Sequence, residues 1–276
     1  MAIKLICIDM DGTLLDNDHN VSIENKKALI EARDKGIVIA ITTGRLFTSA
    51  KYYSDLIGIN APIISSNGAY IKEKDSSKVI YENALSLDEC LEIYDICKKY
   101  SFDTYFNTHN TAISSTEFKE DNAYMITNKL LKEKDKIKFK VAPDLTYILK
   151  DLEGDVLKAI LINRSSKDNT ELLTAKNEFI NLNKYEVVSS GLNNFEVMKK
   201  GTSKGNAVKQ LAELLGIKKD EIMCIGDSEN DLSMIKFAGI GVCMENGLEL
   251  LKKEADYITD TNLNSGVAKA IRKFAL

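Results

Sequence analysis

Short apolar runs that break off into polar clusters constrain this chain more than any other feature. Residues 4–8, 37–41 and 222–225 are each of strand length and almost wholly apolar. A continuous apolar run of that length fits a strand buried on both faces, as in parallel sheets. Each run gives way to polar residues: Asp9-Met10-Asp11-Gly12-Thr13, Thr42-Thr43-Gly44-Arg45, and Gly226-Asp227-Ser228-Glu229-Asn230-Asp231. A further short strand, 62–65, ends at Ser66-Asn67-Gly68. Helical segments lie between them. One is capped by Ser22 and ends at Gly36, one ends at Gly58, and one is capped by Thr202 or Ser203, carries Lys204 in its first turn and ends at Gly216. This alternation predicts an α/β chain with a doubly wound parallel sheet. In such sheets ligands sit outside the carboxyl ends of the strands.

The pattern changes in the middle of the chain. A hairpin over 69–72 and 78–82 leads to a capping box, Ser86 with Glu89, opening a helix to about residue 100. Strands are expected at 102–107, 111–114, 157–163 and 185–189, and helices at 117–131, 145–149 and 168–182. Polar residues interrupt these strands and lysines become frequent. Residues 83–190 therefore read as an α+β domain inserted between two core segments, 1–82 and 191–276. The run 195–199 is expected to resume the core sheet.

Composition excludes several classes. The 276 residues carry a formal net charge of -4, without the positive excess of a nucleic-acid binder. No apolar run approaches the ~20 residues that span a bilayer. The start leads straight into a strand, so no signal peptide is expected. Five cysteines are scattered without a Cys-x-x-Cys pair, which fits free buried thiols in a reducing cytoplasm. His19 and His109 lack partners at ligand spacing, which argues against zinc. The expected partner is a small molecule, not a nucleic acid or a membrane, and the expected state is a monomer or small homo-oligomer.

Taken singly, the polar clusters have ordinary readings. Asp-x-Asp-Gly suits a turn, Lys204 suits a solvated first turn, and Asp227 and Asp231 suit a helix start. Taken together they do not. Parallel strands bring Asp9, Asp11, Asp227 and Asp231 to one edge, where carboxylates repel unless a cation joins them. A hard divalent ion such as Mg²⁺ prefers oxygen ligands. Asp9, Asp227 and one oxygen of Asp11, backbone or side chain, form the candidate set. Thr42 or Thr43 with Gly44 offers a hydroxyl and backbone N–H groups to a phosphate, and Lys204 adds positive charge.

With these motifs in this order the sequence resembles the haloacid dehalogenase superfamily, and within it the Cof-type phosphatases. The matching stretches are Asp9-Met10-Asp11-Gly12-Thr13-Leu14, Thr43-Gly44-Arg45, Lys204-Gly205 and Gly226 to Asp231, with Asn67-Gly68-Ala69 fitting the turn after the third strand. The resemblance implies a Rossmann-like core with an inserted cap, and a Mg²⁺-dependent phosphatase working through an aspartyl-phosphate. It implies Asp9 as nucleophile and Asp11 as the acid, then base. Asp9, the backbone carbonyl of Asp11, and Asp227 would hold Mg²⁺. Thr43, Gly44, Lys204, Asn230 and the Met10 amide would bind phosphate. Asp231, Arg45 and Asn67 would support them. The Thr-Gly-Arg run favours Thr43 over Thr42. One departure is Lys199, where relatives often carry proline.

Spacing also types the cap. A loop, a helix and a strand alone separate Asp11 from Thr43, whereas the whole insert separates Thr43 from Lys204. That placement and the α+β pattern resemble a type IIB cap, with hinges expected at 82–85 and 189–193. A mutase would carry its cap between the first two motifs. A receiver-type signalling module shares the acidic cluster, a Thr/Ser and a Lys, but lacks the insert. The expected substrate is a small phosphorylated metabolite: a sugar phosphate, a flavin phosphate or pyridoxal phosphate. Asn107, His109, Asn110, Phe118 and Tyr124 of the cap are candidates to face it.

Overall fold

The computed structural model describes residues 2–58, 62–164 and 169–276. β1 (Leu5–Ile8) leads through α1 (Ile23–Asp34) to β2 (Val38–Thr42), and α2 (Phe47–Ile57) leads to β3 (Pro62–Ser65) and the hairpin β4 (Tyr70–Glu73) and β5 (Val79–Glu82). Then come α3 (Leu87–Cys97), β6 (Asp103–Asn107), β7 (Thr111–Ser114), α4 (Ala123–Leu130), β8 (Lys138–Val141), α5 (Thr146–Asp151), β9 (Lys158–Ile162), α6 (Thr170–Leu182), β10 (Tyr185–Val188) and β11 (Asn194–Lys199). The chain closes with α7 (Lys204–Leu215), β12 (Ile222–Gly226), α8 (Leu232–Phe237), β13 (Ile240–Cys243), α9 (Glu249–Glu254), β14 (Tyr257–Ile258) and α10 (Gly266–Phe274).

The first sheet runs β14-β13-β12-β1-β2-β3-β4-β5. Its strands from β14 to β3 are parallel, and the β4–β5 hairpin lies antiparallel at one edge. Alternation along β1 explains its unbroken apolar character. Ile6 and Ile8 pack with Ala28, Leu29 and Ala32 of α1 and Ile271 of α10. Leu5 and Cys7 pack on the other face with Val208 and Leu211 of α7 and Met234 of α8. Helices thus cover both faces. The chain leaves β1 toward β2 and β3 and returns on the opposite side as β12 to β14, so the switch point lies between β1 and β12. Cys7 and Cys224 are register neighbours there, and all five cysteines are free and buried. No helix among the described residues is long and apolar enough to cross a membrane.

The Lys204-Gly205 pair has a packing reason. Ser203 caps α7 by accepting from the Asn206 amide at 3.1 Å. A Cβ on Gly205 would lie 2.4 Å from the Ser233 carbonyl oxygen of α8. Only glycine lets the first turn of α7 approach that closely. Gly205→Ala is expected to part α7 from α8 and cost roughly 1–3 kcal/mol, measured as a shift in the denaturant midpoint. A midpoint equal to wild type would show that the contact relaxes freely.

The second sheet is six-stranded, β10-β11-β9-β6-β7-β8, and antiparallel except for β7 with β8. It corrects the sequence reading at two points. The run 195–199 does not resume the core: β11 lies between β10 and β9 in the cap sheet. The crossing back to the core therefore falls at about residues 200–203, not 189–193, and the second core segment starts later than residue 191. The Ser-Ser-Gly-Leu-Asn loop at 189–193 is a hairpin turn joining two antiparallel strands. β8 is an unforeseen edge strand, Lys-Phe-Lys-Val, its charges marking the edge. The helix expected over 117–131 is confined to α4, capped by Asn122, which accepts from the Tyr124 amide. The expected start of α6 at Asp168 lies outside the described residues.

Candidate active site

β1 and β12 run in register, Ile8 beside Ile225, so the next residues, Asp9 and Asp227, emerge together. Asp9 is buried, and Lys204 is fully buried behind it. Lys204 Nζ donates to Asp9 Oδ1 at 2.5 Å and to Asp231 Oδ1 at 2.6 Å. Asp231 Oδ2 accepts from the Asp227 and Ser228 amides, both at 2.9 Å. Asp227 accepts from Thr13 Oγ1 at 2.7 Å and Ser228 Oγ at 3.0 Å. One ammonium thus bonds two of three crowded carboxylates.

The electrostatics follow from that count. Burial pushes Asp9 well above the usual carboxylate range and Asp231 adds to it, with Lys204 offsetting only part. Burial and Asp231 push Asp227 up to about 6 despite its two hydroxyl donors. Burial pulls Lys204 down, but Asp231 and Asp9 outweigh that and keep it protonated. Oxygens of Asp9, Asp227 and Asp231 lie within 4.8 Å of one another. An all-oxygen donor set with surplus negative charge fits a hard divalent cation. Asp231 is fully buried with its oxygens on the Lys204 ammonium and two backbone amides, whereas Asp227 is held only by two neutral hydroxyls, and Asp9 spends only Oδ1 on Lys204.

The Asp11 carboxylate stands apart from this group. Arg45 grips it with two bonds, Nε to Oδ2 at 2.7 Å and Nη2 to Oδ1 at 2.6 Å, and lies over the Tyr53 ring. The Met10 side chain is buried in the core, so only its backbone is available. Thr43 and Gly44 line the cleft above Asp9, whereas Thr42 ends β2 with its buried hydroxyl unpartnered. Asn230 also lines the cleft, and its Nδ2 donates to Asn67 Oδ1 at 2.9 Å. The cleft is about 480 Å³. Its floor is the core loops and its roof is the cap sheet. Alternation in β9 and β11 builds that roof. Ala159, Leu161, Phe195 and Val197 face the cap core, while Lys158, Ile160, Ile162 and Glu196 face the cleft.

The family model for haloacid dehalogenase-like hydrolases matches residues 6–271, spanning both core segments and the cap. The chain belongs to the haloacid dehalogenase-like hydrolases. It is 34% identical over 274 residues to the 5-amino-6-(5-phospho-D-ribitylamino)uracil phosphatase YcsE of Bacillus subtilis, covering 99% of this chain and 96% of that one. It is 30% identical over 292 residues to the phosphatase YwpJ of the same organism, covering 98% and 99%. Among solved structures, a haloacid dehalogenase-like hydrolase of B. subtilis superposes with a TM-score of 0.86 at 27% identity, covering 98% of this chain and 99% of that one. One from Bacteroides thetaiotaomicron gives 0.80 at 29%, with the same coverage.

In this hydrolase the cap contributes differently from the sequence reading. Of the five cap residues singled out there, Tyr124 alone is among those lining the cleft. Asn107 donates to the Tyr124 hydroxyl at 2.7 Å. Phe118 stacks on Tyr105, and Asn110 accepts from Thr111 Oγ1 at 2.9 Å. His109 stacks on Tyr70 of the core. The reading missed Lys158, Arg164, Asn194 and Glu196, all on the cleft wall. The available signal was polar or charged residues at alternate positions of otherwise apolar stretches.

Proposed function

We propose that this hydrolase is a Mg²⁺-dependent phosphomonoesterase acting on small phosphorylated metabolites through a phosphorylated Asp9. The observation that carries the reading is the buried Asp9 at the cleft floor, tied to Lys204 and flanked by Asp227. Asp9 attacks phosphorus and the bond to the leaving oxygen breaks, with Asp11 giving that oxygen a proton. Water then attacks the phosphorus, Asp11 takes its proton, and the bond to Asp9 breaks. Thr43, Gly44, Asn230 and the Met10 amide donate to the phosphate oxygens. Lys204 holds Asp9 in place and offsets charge. Asp9, Asp227 and the Asp11 carbonyl would hold Mg²⁺, which supplies positive charge against the phosphate oxygens. Arg45 sets the resting position of Asp11 at the mouth of the cleft.

The relatives and the cleft support a phosphorylated sugar or sugar alcohol as substrate. YcsE is named for a phosphoribityl compound, and a cleft of about 480 Å³ with both polar and apolar walls suits a leaving group of that size. A panel of phosphorylated metabolites, assayed with Mg²⁺ and with chelator, tests this. Turnover of sugar phosphates that the chelator abolishes is expected. A protein that binds phosphoesters but turns none over with any divalent ion would instead be a binding module.

A further inference from the structure

Lys158 and Glu196, on neighbouring cap strands, are a buried pair of opposite charge to which the reaction above gives no task. They are 3% and 1% exposed and form an ion pair with each other. Burying two charges costs more than their attraction returns unless their remaining bonds are also made. Here two of those bonds cross to the core. Lys158 Nζ donates to the Gly44 carbonyl at 2.6 Å. Glu196 Oε2 accepts from Asn67 Nδ2 at 2.9 Å, and its Oε1 accepts from Ser190 Oγ at 2.6 Å. Asn67 Oδ1 in turn accepts from Asn230 Nδ2 at 2.9 Å.

The direction of these bonds is dictated by chemistry. An ionised carboxylate only accepts. Asn67 must therefore turn its NH₂ toward Glu196, which turns its oxygen toward Asn230. Asn230 must then answer with its own NH₂, and the second hydrogen on that nitrogen is left for a ligand in the cleft. Asn67 sits in the left-handed region at φ 54, a conformation that needs support from its surroundings. Lys158 fixes the Gly44 carbonyl, while the amide of the same peptide unit, that of Arg45, donates to Thr43 Oγ1 at 3.1 Å.

We propose that Lys158 and Glu196 are positioning residues that orient Asn67, Asn230 and, through the Gly44–Arg45 peptide, the Thr43 hydroxyl for phosphate, so that the phosphate site is complete only when the cap is seated on the core. The inference rests on the assignment of Thr43 and Asn230 to the phosphate site. A glutamine at 196 can present oxygen or NH₂ to Asn67, so the bias along the amide chain is lost.

The test is steady-state kinetics of Glu196→Gln, Lys158→Met and the double variant on p-nitrophenyl phosphate and a sugar phosphate, with inhibition by inorganic phosphate. Glu196→Gln is expected to lower kcat/KM by roughly 10- to 100-fold, by the same factor on both esters. The inhibition constant for inorganic phosphate should rise in parallel, measured below the melting transition, and the melting temperature itself should fall because the Lys158 charge is left buried without its partner. The uncharged double variant is expected to be no worse than Lys158→Met, and it carries the test if that single variant does not fold. A loss confined to the sugar phosphate would make the pair a leaving-group contact and overturn the proposal. So would wild-type phosphate inhibition in folded variants. A wild type that turns over no phosphoester overturns the phosphatase reading and this inference with it, whereas an active wild type with unaffected variants overturns this inference alone.

Discussion

Asp9→Asn is expected to lower kcat by at least about 10⁴-fold while leaving the fold intact. The amide cannot form the acyl-phosphate bond, and no second carboxylate stands ready to replace it. Asp227 is held by two hydroxyls, Asp231 by Lys204 and two amides, and Asp11 by Arg45. The stability effect runs the other way. Burial first, and Asp231 second, raise the folded pKa of Asp9 above its unfolded value. Between those two values the folded state binds more protons, so metal-free stability falls as pH rises through that window. Asparagine mimics the protonated form and escapes this penalty. Melting in chelator at neutral pH should therefore place Asp9→Asn at or above wild type. Mg²⁺ should raise the melting temperature of wild type more than that of the variant. A variant that retains turnover would remove Asp9 as nucleophile. One that melts well below wild type in chelator would show that the Lys204 bond outweighs the carboxylate crowding.

The core was legible in the sequence because its signals are local and doubled. The run before Asp9 is apolar at every position since helices cover both faces of β1, and the same holds before Asp227. Parallel order then places their carboxyl ends together without further information. The cap was harder to read. Its sheet has one face on its own helices and the other on the cleft, so Lys158 and Glu196 look like solvent-facing positions of an antiparallel strand. Nothing local reveals that a second domain covers them. The run 195–199 misled for the complementary reason: its core-facing Phe195 and Val197 resemble a buried parallel strand, while the hairpin turn preceding it was the better guide. The Arg45 fork on Asp11 joins loops from different strands, a pairing that spacing alone does not specify.

Lys204→Met tests the other half of the cluster. The ammonium is fully buried and bonded to both Asp9 and Asp231. Deleting one partner of a buried ion pair costs about 3–5 kcal/mol, because the remaining charge is left uncompensated. Here three carboxylates would remain without their cation. At roughly 2–4 °C per kcal/mol for a chain of this size, the metal-free melting temperature is expected to drop by on the order of 10 °C, with phosphatase turnover lost as well. The cause can be separated from simple loss of packing. Adding Asp231→Asn removes one of the stranded charges, and the amide oxygen can still accept from the Asp227 and Ser228 amides. The double variant should therefore recover much of the stability and none of the activity. Mg²⁺ should also stabilise the single variant more than wild type, since the surplus charge is larger. Additive losses in the double variant would mean that Lys204 acts through its packed methylenes. Recovery would mean that the site is strained by its own charge and that Lys204 supplies a fixed part of what a bound cation would otherwise have to neutralise alone.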